Sequence, residues 1–367
     1  MVARASHKEV GNGMQKQNHE TAGWVVPLVC LLLAWTLACR VSAIADVLTS
    51  HRQEGVTITA LTIDPVTPTT LYAGTSLGAF KTSDGGGKWS HLNSDLTIAG
   101  VYTLAIDPVT TATLYAGTES GNVFKSTDGG ENWSEASTGL TTNPVYTLVI
   151  DPTTPTTLYA GTSPIEGGPV FKSMDGGQTW RLASVGLEHT SVHAMAIDPQ
   201  AVTTLYAGTS SGVFKSADGS ASWVRSNTGS GVGVAALAID PFVPTTLYAG
   251  GRGGPIFRTV DGGGTWSAGN ANEYIFALAI DQQTPSTLYA GTLGRLGGVL
   301  KSTDAGDTWI PVGTGLPDAD IYALAIDPLT PTTLYAGALS RGVFKSTNAG
   351  QYWSAANAGL TANGSSP

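Results

Sequence analysis

Cysteine is nearly missing from this chain of 367 residues: the two present, Cys30 and Cys39, both lie near its beginning. A disulfide framework or a cysteine-based metal site is thereby excluded from everything downstream. Charge is scarce as well, at 12% of residues, and it leans one way, with 27 acidic against 18 basic side chains and a net −9. Such a surface repels phosphate backbones, so nucleic acid is excluded as a partner. Long apolar runs are lacking except from Trp24 to Ala38, and that run is short for a membrane span. No Gly-rich phosphate loop, zinc motif or nucleophile elbow occurs, and neither a metal nor a cofactor is expected. What abounds is glycine, with 47 residues, which suits a chain of many tight turns.

Residues 1–45 read as a leader. Arg4, Lys8 and Lys16 precede the apolar run, and Ala43-Ile44-Ala45 fits a small-x-small cleavage site. Thr36-Leu37-Ala38-Cys39 resembles a bacterial lipobox, which would put a lipid on Cys39; retention as an uncleaved anchor is the third reading. Cleavage after Ala45 leaves 14 basic and 25 acidic residues, a net −11. The expected location is secreted, periplasmic or cell-envelope, with membrane attachment only through the leader or that lipid. Residues 46–56 read as a polar linker.

The chain then writes one stretch seven times. Its clearest copy is Phe171-Lys172-Ser173-Met174-Asp175-Gly176-Gly177-Gln178-Thr179-Trp180. Phe-Lys-Ser alternates like the end of a strand, Asp accepts N–H groups of its own turn, and Gly supplies positive φ. Trp then opens the next strand and folds over the turn. The copies end at Trp89, Trp133, Trp180, Trp223, Trp266, Trp309 and Trp353, spaced by 43–47 residues. Their acidic position is Asp84, Asp128, Asp175, Asp218, Asp261 and Asp304, with Asn348 in the seventh; Ser220 replaces a Gly in the fourth. Both replacements are expected to weaken the turn locally. A second element shares the period: an apolar run closing on Asp64, Asp107, Asp151, Asp198, Asp240, Asp281 or Asp327, then a Leu-Tyr-Ala-Gly run. Each unit holds four short strands and leaves no room for a helix. Four strands per period of roughly 40–50 residues is the mark of a propeller blade.

The decapeptide resembles the Asp-box, or BNR repeat, of sialidases, the sortilin ectodomain, xyloglucanases and photosystem II stability factors. In those families the box is the hairpin between the third and fourth strands of a β-propeller blade. The resemblance covers about residues 57–360. It implies an all-β chain: a single seven-bladed β-propeller over 57–367, built of four-stranded antiparallel blades and preceded by the hydrophobic leader. Blade one is expected to begin near Ile58 and blade seven to end just past Trp353, with no strand borrowed for closure, although 46–56 is able to supply one.

The repeated slots absorb most chemically interesting side chains. The box and Asp-Pro aspartates are expected as turn caps, the Trp and Leu-Tyr-Ala-Gly Tyr residues as core. The basic slot of Lys81, Lys125, Lys172, Lys215, Arg258, Lys301 and Lys345 is expected to shield Trp rings and balance turn carboxylates. Residues repeated in every blade cannot be aimed at one substrate, so no catalytic residue is assigned, and function is sought where the repeats differ. One such position is occupied in turn by Thr59, Tyr102, Tyr146, His193, Ala235, Phe276 and Tyr322. Tyr102, Tyr146, His193, Phe276 and Tyr322 are expected to ring the channel mouth, where flat surfaces stack on sugars or grip a peptide. Arg252, Arg341 and Arg295, between second and third strands, are candidates for a carboxylate clamp. Sialidases hold their substrate with three arginines, but their Phe-Arg-Ile-Pro motif is absent here. The loop Ser163–Pro169 beside Glu188, His189 and His193 is the third variable feature.

Three functions stay open. The first is an exported, non-enzymatic scaffold, a monomer, binding a protein, peptide or glycan through the variable face. The second is a glycan-active hydrolase related to Asp-box glycosidases. The third is an assembly or stability factor for a membrane complex. Xyloglucanases place catalytic aspartates between two tandem propellers, and one propeller fits here.

Overall fold

A computed structural model describes residues 55–92, 100–164, 168–187, 189–226, 233–293 and 298–360. All belong to Gln53–Pro367, the second of two units into which the chain divides. The leader, Cys39 and linker residues 46–54 lie outside the described residues, as do Arg295 and Glu188.

Seven sheets follow one another, each made of four antiparallel strands in chain order. In blade one these are Ile58–Ile63, Leu71–Thr75, Gly78–Thr82 and Ser90–His91; blade seven ends in Ser354–Ala355. The inner strand of each blade packs against its two neighbours, and that of blade one packs against that of blade seven. The wedges form a closed ring: this is a seven-bladed β-propeller. Every blade is complete without a strand from elsewhere.

Side-chain size explains how the wedges fit. The Leu-Tyr-Ala-Gly cores of the second strands are buried in every blade, while the inner strands are half-exposed along the channel. The recurring Gly has a specific neighbour. A Cβ built on Gly117 would stand 2.6 Å from Val145 of the next blade, and one on Gly337 would stand 2.5 Å from Ile58. Glycine is kept there to admit the β-branched residue that opens the next inner strand, rather than by crowding at the channel.

The decapeptide turn is held from within. Ser126 Oγ donates to Asp128 Oδ1 at 2.8 Å and accepts from Gly130 N at 2.9 Å, while Asp128 Oδ1 also accepts from Asn132 N at 2.9 Å. These donors stabilise the carboxylate, so Asp128, Asp175, Asp218 and Asp304 are lowered to about 2, and Asp84 and Asp261 are lowered too. Asn348 keeps the Oδ1 geometry, accepting from Ser346 Oγ at 3.0 Å and Tyr352 N at 2.9 Å. It gives up the charge and the second acceptor oxygen that takes a side-chain donor at Asp128, Asp175, Asp218, Asp261 and Asp304. The Asp-Pro aspartates cap as expected: Asp64 Oδ1 takes the N–H of Val66 and Thr67 at 2.9 and 3.0 Å. At Asp281, where Gln282 replaces Pro, the same bonds form.

The basic slot is a correction. Its lysines lie over tyrosines, not tryptophans, with Lys125 Nζ 5.3 Å from the Tyr115 ring centroid and Lys345 Nζ 5.3 Å from that of Tyr335. Both partners then reach one carbonyl in the next blade's turn. Lys81 Nζ and Tyr72 Oη donate to Gly129 O at 2.8 and 3.1 Å, and Lys345 and Tyr335 do the same to Gly85 O across the ring closure. Ion pairs with turn carboxylates are confined, among the described residues, to Lys81–Glu131 and Arg258–Asp307. Tryptophan works in two ways. Trp133, Trp309 and Trp353 fold over their own turns, while Trp89, Trp180 and Trp223 donate Nε1 to a carbonyl of the preceding blade. The turn is thus a rivet between blades as well as a hairpin.

Candidate functional site at the channel mouth

The variable position owes its freedom to a backbone irregularity. Each inner strand slips register against its second strand at one residue, and the skipped residues are Thr59, Tyr102, Tyr146, His193, Ala235, Phe276 and Tyr322. A β-bulge leaves one residue out of the ladder and re-aims its side chain. The position that changes from blade to blade is therefore the one released from the repeat's pairing. All seven are half-buried.

The structure brings the predicted rings together in two arcs. Tyr102 and Tyr146 stack with centroids 6.1 Å apart and planes 8° apart, and Tyr146 meets His193 at 5.2 Å and 54°. Phe276 and Tyr322 meet at 5.4 Å and 59°, which makes an open corner. Thr59 in blade one and Ala235 in blade five interrupt the ring, so the arcs occupy blades two to four and six to seven. The rest of the inner strands is apolar apart from Thr62, Thr103, Thr147 and Tyr274. Across the seven inner strands, His193 is the sole side chain that is acidic, basic or an imidazole.

Charge sits on the surrounding loops and linkers. Glu119 N donates to Gly100 O at 2.9 Å, and Gly100 lies two residues before Tyr102. Glu273 stands three residues before Phe276 and is bridged to Gly254, and Asp320 stands two residues before Tyr322 with its carbonyl accepting from Leu339 N at 2.9 Å. Asp318 is exposed nearby in the same linker. Arg252 and Arg341 are half-buried in the loops of blades five and seven. The three-arginine clamp is not assembled from the described residues, because Arg295 lies outside them. His189 is exposed with φ 64°, and residues 165–167 of the long blade-three loop lie outside the described residues.

Sequence reasoning passed over Glu119, Glu273, Asp318, Asp320 and the half-exposed Tyr274, which borders Gly253. The signal was available: these residues fill linkers and loops whose contents vary while the strands repeat.

No family model matches the chain, and no curated protein is similar to it. Solved structures are. A GH74 xyloglucanase from Xanthomonas campestris superposes with TM-score 0.73 at 19% identity, over 84% of this chain and 55% of its own. YCF48 bound to a D1 peptide gives TM-score 0.59 at 16% identity over 80% of this chain and 94% of its own. YCF48 from Cyanidioschyzon merolae gives 0.58 at 16% identity, over 81% and 96%. The likeness is one of fold. The chain spans about half the length of the xyloglucanases it matches.

Proposed function

We propose that this propeller is an exported, non-enzymatic binding scaffold whose ligand sits on the channel mouth and the variable loops around it. The observation that carries the reading is the pair of aromatic arcs formed at the bulged positions of the inner strands. Glycoside hydrolysis needs two carboxyl groups facing one bond across roughly 5–10 Å. Here the repeated aspartates are occupied as turn acceptors, and the mouth offers stacking surface instead. The seven turns are assigned as Asp-boxes, residues 57–367 as the propeller domain and 1–45 as the leader. That leader directs the protein to the envelope or beyond, as a monomer, with Cys39 available for lipid. A YCF48 binding a D1 peptide supports peptide capture by such a fold.

The test pairs two measurements. Envelope extract passed over the wild-type propeller and over a Tyr102→Ser/Tyr146→Ser/Tyr322→Ser variant should yield a partner retained only by the wild type. A screen of polysaccharides for reducing-end release should show no turnover. Turnover, or a partner indifferent to the three substitutions, overturns the reading.

A further inference from the structure

Resting on that reading of the mouth, we infer that its ligand is a cationic segment of a protein, whose lysine or arginine side chains seat in the corner made by Phe276 and Tyr322. Three features of the site converge on this chemistry. The rings meet at 5.4 Å and 59°, a tilted pair in which neither ring lies flat over the other. Aromatic faces carry negative quadrupole potential and attract ammonium and guanidinium groups, most strongly where water is partly excluded. Both rings are half-buried.

Acidic residues stand close in sequence to both rings. Glu273 precedes Phe276 by three residues and Asp320 precedes Tyr322 by two, at the starts of the inner strands of blades six and seven. Glu119 is placed the same way by Tyr102, with Oε2 3.3 Å from where a Cβ on Gly100 would lie. In the described loops and linkers of this end, Glu119, Glu273, Asp318 and Asp320 oppose Arg252 and Arg341. The end is net acidic, and the whole chain adds its −9 to steer a cationic partner toward it.

The throat argues for a peptide over a glycan. The inner strands contain no Asp, Glu, Asn, Gln, Lys or Arg, so a glycan pressed into them would meet only scattered Thr and Tyr hydroxyls and the His193 imidazole, too few partners for its many hydroxyls. Aliphatic stems of Lys and Arg, and their apolar neighbours in a peptide, meet no such penalty.

Fluorescence anisotropy on the full propeller tests the inference. The probes are short labelled glycine–serine peptides carrying lysine, glutamine or glutamate at alternate positions. The lysine peptide is expected to bind best and to weaken with added salt. Phe276→Leu and Tyr322→Leu, which keep apolar volume, are each expected to weaken it about tenfold, whereas Tyr322→Phe keeps wild-type affinity. Thermal melts confirm that each variant is folded. Preferential binding of the glutamate or glutamine peptide, lost in the leucine variants, overturns the cationic assignment and leaves the mouth as a binding site. Indifference of every peptide to both leucine variants removes the mouth reading as well.

Discussion

Ser220 shows what one residue costs when the repeat departs from its own chemistry. Its slot is Gly in the other turns, with φ of 89° at Gly86 and Gly130 and 91° at Gly263; Ser220 is forced to 73°. A Cβ at positive φ is strained by about 1–3 kcal/mol. The side chain is 1% exposed, and its Oγ has no hydrogen-bond partner in the described structure. Ser220→Gly removes both penalties while keeping the N–H that donates to Ser216 Oγ at 2.9 Å. The expected outcome is a gain of about 1–2 kcal/mol in chemical denaturation, after allowing for glycine's greater freedom in the unfolded chain. A destabilised variant would show that Ser220 makes contacts its geometry does not reveal. The opposite change at Gly117 has the opposite sign: Gly117→Val drives a branched side chain into Val145, with an expected loss of at least about 2 kcal/mol.

At the scale of the turn, protonation becomes a stability switch with a calculable direction. Asp128, Asp175, Asp218 and Asp304 have folded-state values lowered to about 2, below the usual carboxylate value near 3.8. A depressed carboxylate binds protons more readily when unfolded, so its contribution is complete above about pH 4 and is lost as the pH falls toward 2. The Leu-Tyr-Ala-Gly tyrosines act at the other limit. Burial and nearby aspartates push Tyr72, Tyr115, Tyr159, Tyr206, Tyr289 and Tyr335 up to about 12, so their contribution is lost as pH rises from about 10 to 12. Melting temperature should therefore plateau between these limits. Replacing the four lowered aspartates by Asn, as the seventh turn already does, should flatten the acid limb and leave the alkaline limb alone; an unchanged acid limb would refute the turn account. Local order of this kind was legible in the sequence, because Asp, Ser and Gly act within four residues of one another. What Lys125 and Trp180 touch was not. Lys125 Nζ donates to Gly176 O and Trp180 Nε1 to Ala136 O, contacts that join residues 51 and 44 positions apart. A one-blade periodicity contains no information about them. The mouth was half legible: variation pointed to Tyr102 and Phe276, but the bulge that frees them depends on pairing with a partner strand.

Across the whole molecule, the closure between blades seven and one is built like the interface between blades two and three, where Tyr115 and Lys125 reach Gly176 O and Trp180 Nε1 reaches Ala136 O. Tyr335 and Lys345 rivet Gly85, Trp89 N and Nε1 take the carbonyls of Ala358 and Ala356 at 2.7 and 2.8 Å, and Ile58 covers Gly337. Among the described residues no strand crosses the seam. The two ends of the described ring also meet there, since Val56 and Leu360 share a buried cluster with Trp89, and Gly342 N donates to Val56 O at 2.9 Å. A chain whose ends adjoin and whose blades are self-contained has no privileged starting point. Joining Leu360 to Gly55 by a short glycine–serine linker and cutting the linker between blades two and three, at Thr141-Thr142, should give a permuted protein that folds to the same ring. Its β-sheet circular dichroism is expected to match the parent, with a melting temperature within about 3 °C, the shift that about 1–2 kcal/mol produces in a domain this large. The cut crosses the hydrogen bond from Asn143 Nδ2 to Thr141 Oγ1 at 3.1 Å, while that from Leu140 N to Ser137 O lies wholly on one side of it. Failure of the permutant to close, seen as an expanded radius in solution scattering, would mean that residues before Gly55 hold the seam, and that the seven interfaces are not equivalent.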